Sequence, residues 1–296
     1  MSRSYEFVTL DVFTTTPFGG NQLAVFTEAR GMTDGEMQAL AAEFNLSETT
    51  FVLPAENPAH TARVRIFNRR AEMPFAGHPS LGTAFTLAQQ GRARDGVVRL
   101  EMKAGLVEVH IDRDDAGVIQ GGTVVAPQPL TLSGEVPVTE VAACAGLTAS
   151  DVLTTAHMPL FVSAGNPYVI AEVTGPALTR ASPQIASFQQ SIATRPELNG
   201  RFALHLYARN GSQLRARMFA PLAGTMEDPA TGSANAPLAG LLLSLTDDVS
   251  ANFDIIQGVE MGRPSRLRAS ARRTQDGIRV SVGGACVPMF RGVAQL

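Results

Sequence analysis

The sequence has few cysteines, little net charge and no long apolar run, and each shortage excludes a class of protein. Cys144 and Cys286 are too few for a disulfide framework or a cysteine metal cluster. The formal net charge of −3 provides no basic stripe for nucleic acid. Apolar stretches such as Pro237–Leu245 are too short to span a bilayer, and residues 1–6 lack the apolar core of a signal peptide. We therefore expect a soluble, cytoplasmic protein with no nucleic-acid or membrane partner.

Several catalytic signatures are missing as well. The sequence contains no phosphate-binding glycine loop with Lys-Ser/Thr, no dinucleotide fingerprint after a first strand and no nucleophile-elbow serine. The early glycine pair in Phe18-Gly-Gly-Asn21 is typical of a tight turn between strands. Outside His78 the histidines are scattered, with no carboxylate or thiolate at ligand spacing. We predict no metal and no cofactor.

What is present is a long chain of short, β-rich segments. At 296 residues it is about twice a typical domain length. Glycine, proline and aspartate separate the runs that we predict as strands, which are Tyr5–Phe13, Gln22–Phe26, Ala62–Phe67, Val97–Glu101, Leu106–Ile111, Leu160–Ser163, Tyr168–Val173, Ala203–Tyr207, Leu214–Phe219, Arg266–Ala271 and Ile278–Val282. A capping box predicts one helix, with Thr33 as the N-cap and Glu36 reaching back to it.

Two further helices are apolar almost all round, which predicts that each is buried among its own strands. They are expected over Pro79–Gln90 and Ala230–Leu245, and each follows a polar turn that contains glycine. The order of strands, polar turn, buried helix and strands thus occurs twice, with a proline-rich linker at 126–138. We predict an α+β protein of two β-rich halves, 1–125 and 126–296, in which the last strand, about 285–296, could pack back on the first half.

The first turns of two buried helices are natural binding sites for anions. Free backbone N–H groups point outward there, and the helix dipole favours negative charge. If the halves face each other, both helix starts could converge on one cleft and hold a carboxylate substrate. The alternative is that these turns are only capped helix starts, a role that Asp228 and Ser233 would fill well.

Glu48 and His78 are the side chains best suited to proton transfer. Glu48 follows a helix at the edge of an apolar strand, where a carboxylate would have a raised pKa and could act as an acid or base. A solvated glutamate or a partner for an arginine is the alternative. His78, held between Gly77 and Pro79, would stay neutral at a helix start, although it could equally cap its own helix.

Eight segments, in order along the chain, resemble the phenazine-biosynthesis isomerase (PhzF-like) family. Together they extend over essentially the whole sequence and are highly specific for that family. They are Asp11-Val-Phe-Thr, Pro17-Phe-Gly-Gly-Asn-Gln-Leu-Ala-Val-Phe26, Asn45-Leu-Ser-Glu-Thr-Thr-Phe-Val52, Arg65-Ile-Phe, Pro74-Phe-Ala-Gly-His-Pro79, Phe219-Ala-Pro, Glu227-Asp-Pro-Ala-Thr-Gly-Ser233 and Gln257-Gly-Val-Glu-Met-Gly-Arg-Pro-Ser265.

The resemblance implies a fold like that of diaminopimelate epimerase, with two pseudo-symmetric halves that are each a β-barrel-like sheet around a central helix. It implies that Glu48 is the catalytic carboxylate. The positions that match substrate-binding or accessory site residues are His78, Asp228, Gly77, Ser233 and Asn21. Epimerases of this fold use a cysteine at each helix start. This chain has Gly77-His78 and Thr231-Gly232 there, so thiol-based racemisation is not expected.

The activity that the resemblance implies is a cofactor-free isomerisation of the trans-2,3-dihydro-3-hydroxyanthranilate type. One glutamate can remove a proton from a ring carbon and return it to another. The basic segment Asn68-Arg-Arg-Ala71 departs from the family pattern, so the reaction type is better supported than the substrate. An epimerase or dehydratase that uses Glu48, and a non-catalytic small-ligand-binding protein, stay open. A small-molecule carboxylate is the expected partner, and the sequence leaves a homodimer open.

Overall fold

The computed structural model describes residues 3–198, 200–210 and 213–296. The chain divides into two compact units: unit 1 is Met1–Pro127 with Ser281–Leu296, and unit 2 is Gln128–Val280. In each unit a sheet wraps a central, buried helix, and further helices, one in unit 1 and three in unit 2, cover part of its outer face. The predicted α+β class is therefore confirmed. Within the described residues, no helix is both long and apolar enough to cross a membrane.

Unit 1 is a closed barrel of eight strands with one short extra strand. In chain order the strands are β1 (Ser4–Val12), β2 (Asn21–Phe26), β3 (Glu48–Leu53), β4 (Ala62–Phe67), β5 (Glu72–Met73), β6 (Val97–Met102), β7 (Gly105–Arg113), β8 (Ile119–Val125) and β18 (Gly277–Gln295), which belongs to unit 1 from Ser281 onward. Pairing runs β1–β2–β3–β4–β6–β7–β8–β18 and closes through β18–β1, while β5 adds to β4. The last strand thus pairs with both β1 and β8.

Helix α2 (Gly77–Gln89) fills the unit 1 barrel. Twelve of its residues, Gly77 through Ala88, are buried, because the helix is apolar on nearly every side, as its sequence predicts. The hydroxyls of Thr83 and Thr50 lie 2.8 Å apart and give one of the few polar contacts between helix and barrel. Gly82 lets the helix approach the wall closely, since a Cβ there would lie 2.5 Å from Leu23.

A second helix, α1 (Asp34–Phe44), covers the outer face of unit 1 over a core of aromatic rings. The rings of Phe26 and Phe51 stack 5.0 Å apart, and Phe67 meets Phe51 edge-on. The predicted capping box is confirmed: the Thr33 hydroxyl accepts from the Glu36 N–H, and the Glu36 carboxylate accepts from the Thr33 N–H.

Unit 2 wraps a second sheet around helix α6 (Gly232–Ser244). Its strands are β9 (Thr131–Glu135), β10 (Val152–Leu153), β11 (Leu160–Ser163), β12 (Pro167–Val173), β13 (Leu204–Asn210), β14 (Gln213–Ala220), β15 (Thr225–Asp228), β16 (Ser250–Gln257) and β17 (Ser265–Thr274). Pairing runs β9–β11–β12–β13–β14–β16–β17, with β10 beside β12 and β15 beside β14. Helix α6 packs against β11, β12, β16 and β17, and eleven of its thirteen residues are buried.

The outer face of unit 2 carries three helices, α3 (Val138–Ala145), α4 (Gly175–Arg180) and α5 (Ile185–Ala193). Short 3₁₀ turns occupy Ala149–Asp151, Pro196–Leu198 and Pro221–Ala223. Phe188 of α5 and Phe202 lie edge-on, 5.6 Å apart, in the core beneath these helices. Cys144 lies in α3, which is rich in alanine.

Two sequence interpretations need correction. The stretch 126–138 is not a plain linker, because β9 lies inside it and pairs with β11. Its residues are exposed, so no hydrophobic alternation marked the strand. Each central helix also differs from its predicted start: α2 begins at Gly77, before Pro79, and α6 begins at Gly232, after Ala230. Proline is favourable in the first turn of a helix, so Pro79 lies inside α2 without disturbing it.

Candidate active site

Asn21 and Glu48 lie at the end of the unit 1 barrel where helix α2 begins. Asn21 is the first residue of β2, and Glu48 is the first residue of β3. The two strands pair in parallel, so their first residues share one end of the barrel. His78, the second residue of α2, comes close to both side chains. Unit 1 thus brings together four of the predicted site residues, since Gly77 is the first residue of the same helix.

His78 is at the centre of this cluster, and only 4% of it is exposed. Its Nδ1 lies 3.3 Å from the amide nitrogen of Asn21, and its Nε2 lies 3.3 Å from Oε2 of Glu48. Among the described residues, Nε2 has no partner that meets the full geometry of a hydrogen bond, so the Glu48 contact is one of proximity. The Glu48 side chain keeps 17% of its surface exposed, so its carboxylate can be reached from solvent.

The electrostatic surroundings keep the His78 ring neutral. Burial lowers the pKa of His78 to about 3, and a hydrogen bond with the Gln22 backbone opposes this only in part. The positive end of the α2 dipole acts in the same direction as burial. A neutral imidazole can donate a hydrogen bond from one ring nitrogen and accept a hydrogen bond at the other, whereas the charged imidazolium can only donate.

The N-cap residue of α2 provides no side-chain cap for the first turn of the helix. Its N-cap is Ala76, whose methyl group cannot accept a hydrogen bond, and Pro79 has no N–H. The interpretation of His78 as a cap for its own helix is therefore wrong, since the side chain points to Asn21 and Glu48. The N–H groups of Gly77 and His78 lie at the positive end of the helix dipole. An acceptor such as a carboxylate is stabilised in that position.

In unit 2, Asp228 lies three residues before the N-cap of α6. It is the last residue of β15 and is 7% exposed. The hydroxyl of Thr231, the N-cap residue, donates to Oδ2 of Asp228 over 2.6 Å. The Thr231 side chain makes no capping hydrogen bond to α6. That Asp228 faces Glu48 and His78 stays a prediction.

Ser233, the second residue of α6, has a partner that the sequence did not reveal. Its hydroxyl lies 2.7 Å from the hydroxyl of Tyr168, a residue of β12 that is 8% exposed. Tyr168 belongs to a segment predicted only as a strand, and one tyrosine in a strand carries no functional signal. The contact ties the first turn of α6 to the sheet.

A buried polar chain that the sequence analysis also missed lies below the Asp228–Thr231 turn. It links Gln257 at the end of β16, Asn235 of α6 and His205 of β13. All three are at most 1% exposed. Gln257 is the first residue of one of the segments that carry the family resemblance, and this position was the only hint of its importance in the sequence analysis.

Neither thiol lies at a helix start. Cys144 lies in α3 with its sulfur 3.4 Å from the Ser191 hydroxyl, and Cys286 lies in β18, opposite Val12 of β1. Burial raises the pKa of both thiols, which disfavours the thiolate that an acid/base or nucleophilic cysteine needs.

The buried histidines make stability depend on pH. Burial lowers the pKa of His205 to about 4, below the value near 6.5 of an exposed histidine. The unfolded chain therefore binds a proton that the folded chain does not, and stability falls as the pH drops from about 6.5 towards 4. The fall is at most about 1.4 kcal/mol per pH unit for each such histidine.

Between pH 7 and pH 4.5 the free energy of unfolding of His205→Gln should fall by up to about 2–3 kcal/mol less than that of the wild type. Urea unfolding at several pH values measures this difference. His110→Gln, at an exposed position of β7, is the control and should follow the wild-type slope. Parallel curves for His205→Gln and the wild type would contradict the assignment of a neutral, buried His205.

A family model and several known proteins match nearly the whole chain. A sequence model of the family described as phenazine biosynthesis-like protein matches residues 10–292. A protein of Mesorhizobium japonicum named as an uncharacterized isomerase is 38% identical, with 90% of each chain covered. The trans-2,3-dihydro-3-hydroxyanthranilate isomerase of Pseudomonas aeruginosa is 34% identical, with 99% of this chain and 100% of that protein covered.

A solved structure agrees with these relatives. The crystal structure of the Bacillus anthracis phenazine biosynthesis protein of the PhzF family superposes with a TM-score of 0.86 over 99% of this chain and 100% of that one. At 22% identity this likeness shows the fold. The chain belongs to the phenazine biosynthesis-like protein family, and it is an isomerase of that family.

Proposed function

We propose that this isomerase moves a proton between carbon atoms of a small cyclic or amino-acid-like carboxylate, with Glu48 as the acid/base. The observation that carries the proposal is the 3.3 Å approach of Glu48 to a neutral, buried His78 at a helix start with no side-chain cap. A trans-2,3-dihydro-3-hydroxyanthranilate-type substrate is supported by the relative of that name, which matches the whole chain at 34% identity.

The proposed step conserves atoms and electrons without a cofactor. The Glu48 carboxylate takes a proton from one carbon, and the C–H bonding pair moves into the conjugated system of the substrate. The resulting acid returns the proton to another carbon of that system, where a new C–H bond forms. His78 contacts the substrate and the carboxyl group of Glu48, and its ring stays neutral throughout the step.

The substrate carboxylate is held by backbone N–H groups in this proposal. Neither N-cap residue, Ala76 before α2 or Thr231 before α6, makes a side-chain cap hydrogen bond. The first turn of α2 in unit 1, with the N–H groups of Gly77 and His78, and the first turn of α6 in unit 2, with those of Gly232 and Ser233, can therefore each accept an anion. Asp228 would accept a hydrogen bond from a hydroxyl or ammonium group of the substrate. A thiol-based epimerase is disfavoured, because neither cysteine belongs to these turns and burial raises the pKa of both thiols.

The test is turnover in heavy water with small cyclic amino carboxylates, followed by mass spectrometry and NMR. We expect an isomer of the substrate, and it carries deuterium at the carbon that received the proton to the extent that the Glu48 acid exchanges its proton with the solvent before returning it. An epimerase using Glu48 would return the starting constitution with deuterium at an inverted centre, and a dehydratase would release water. A binding protein without turnover would exchange no carbon-bound proton, and this result would overturn the proposal.

A further inference from the structure

Gln257 holds the turn between Asp228 and Thr231 through its entire side-chain amide. Its Nε2 donates to the carbonyl oxygen of Asp228 over 2.8 Å and to the Thr231 hydroxyl over 2.9 Å. Its Oε1 accepts from the Thr231 N–H over 3.1 Å and from the side-chain amide of Asn235 over 2.7 Å. An amide can make four hydrogen bonds, and this one, 1% exposed, makes all four.

Backbone groups fix the direction of every bond in this chain. A carbonyl oxygen can only accept and a backbone N–H can only donate, so the contacts with the Asp228 oxygen and the Thr231 N–H admit one orientation of the Gln257 amide. The Thr231 hydroxyl then accepts from Gln257 and has its own hydrogen left for Asp228. Asp228 is the terminal acceptor of the chain, which suits an ionised carboxylate.

The same logic extends to the other end of the chain. The Asn235 side-chain amide donates to the Thr231 carbonyl over 3.0 Å, so its Oδ1 must be the atom 3.1 Å from Nε2 of His205. His205 therefore donates from Nε2. From the strand β13 to Asp228 the hydrogen bonds form one directed network across α6 and β16, and Gln257 is the residue in which its branches meet.

We propose that Gln257 is a positioning residue for substrate binding. It occupies the hydroxyl of Thr231 and thereby directs it to Asp228, so the N-cap threonine does not cap α6. The N–H groups of Gly232 and Ser233 then stay available for a carboxylate, and the Asp228 side chain is held as a hydrogen-bond acceptor. This inference rests on the proposed function of the two helix starts. It adds Gln257 as the residue that keeps the first turn of α6 available for binding a carboxylate.

Two substitutions separate positioning from packing. Gln257→Leu keeps much of the side-chain volume and removes all four hydrogen bonds. Gln257→Glu keeps an acceptor for the Thr231 N–H, but when ionised it cannot donate to the Asp228 carbonyl or the Thr231 hydroxyl. A protonated glutamic acid regains one donor. Substrate affinity of Gln257→Glu should therefore recover as the pH falls, whereas that of Gln257→Leu should not.

We expect both variants to raise KM, and the Kd for anthranilate as a small aromatic carboxylate probe, at least about tenfold at pH 7.5. The value of kcat should change less than KM, because Glu48 is left in place. For Gln257→Glu the ratio of KM to the wild-type value should shrink between pH 8 and pH 5.5. Kd is measured by calorimetry, and folding is checked by Tm for each variant.

Asp151→Asn is the matched control. Asp151 is another nearly buried side chain of unit 2, and it accepts from the Thr148 N–H and hydroxyl over 2.9 and 2.8 Å and pairs with Arg180. Its substitution should lower Tm and leave KM unchanged. Folded Gln257 variants that also lower Tm without changing KM or Kd would overturn the positioning role and leave Gln257 as a packing residue.

A readout without substrate covers the case in which the proposed function itself fails. Hydrogen exchange of the segment 229–235, followed by mass spectrometry, should speed up at least about tenfold in Gln257→Leu and stay unchanged in Asp151→Asn. Unchanged exchange in Gln257→Leu would overturn the inference. A wild type that binds no carboxylate, combined with faster exchange in the variant, would instead count against the proposed function alone.

Discussion

Replacing Glu48 with glutamine should lower kcat by about 10⁴-fold or more while KM changes less than tenfold. A single general acid or base is worth roughly 10²–10⁴-fold in rate. If one carboxylate performs both the removal and the return of the proton, its loss should reach or exceed the upper end of that range. Glutamine keeps the shape and the polarity of the side chain, so the contact with His78 and the helix starts that bind the carboxylate should survive.

The experiment compares kcat and KM of Glu48→Gln, Glu48→Asp and Glu108→Gln under identical conditions. Aspartate retains the carboxylate but moves it back by one methylene group, so we expect an intermediate kcat. Glu108 lies on β7, where it pairs with Arg99 over 2.8 Å, and its substitution should leave kcat unaltered. A Glu48→Gln enzyme with near-normal kcat would remove Glu48 from the mechanism and leave His78 as the proton carrier.

Local sequence predicted those parts of the fold that local energetics determine. The nearly unbroken apolar surfaces of α2 and α6 could only be satisfied by burial on all sides, and both helices are central. The Thr33 capping box is complete within four residues. Glu48 and His78 were singled out by their neighbours in sequence, and the barrel brings them to 3.3 Å.

The parts that escaped prediction depend on contacts between distant segments. The exposed strand β9 exists because β11 offers it hydrogen bonds, and its own sequence has no alternation. Thr231 looks like an ordinary N-cap residue, and only the arrival of Gln257 from 26 residues away turns its hydroxyl towards Asp228. The partnership of Tyr168 with Ser233 joins residues 65 apart. No pattern within a single segment encodes such pairs.

Replacing Gly258 with alanine should destabilise the protein by about 3–5 kcal/mol and weaken carboxylate binding, whereas Gly262→Ala should cost only about 1–2 kcal/mol. Both glycines lie in the same loop with left-handed backbones, at φ +77° and +70°. Alanine is strained in that conformation at either position. The two sites differ in the space around the added methyl group.

At Gly258 a Cβ would lie 2.5 Å from the carbonyl oxygens of both Pro229 and Arg263, while at Gly262 it would meet nothing within 4 Å. Backbone oxygens on two sides cannot rotate away as a flexible side chain could, so the chain itself must move. Pro229 is the neighbour of Asp228, and Gly258 follows Gln257, so the displacement reaches the turn that Gln257 holds. Urea unfolding gives the two free energies, and the Kd for anthranilate reports on the turn. Equal losses of stability in the two variants would mean that left-handed backbone strain alone explains the need for glycine. The close approach of Pro229 to Gly258 would then make no contribution to stability.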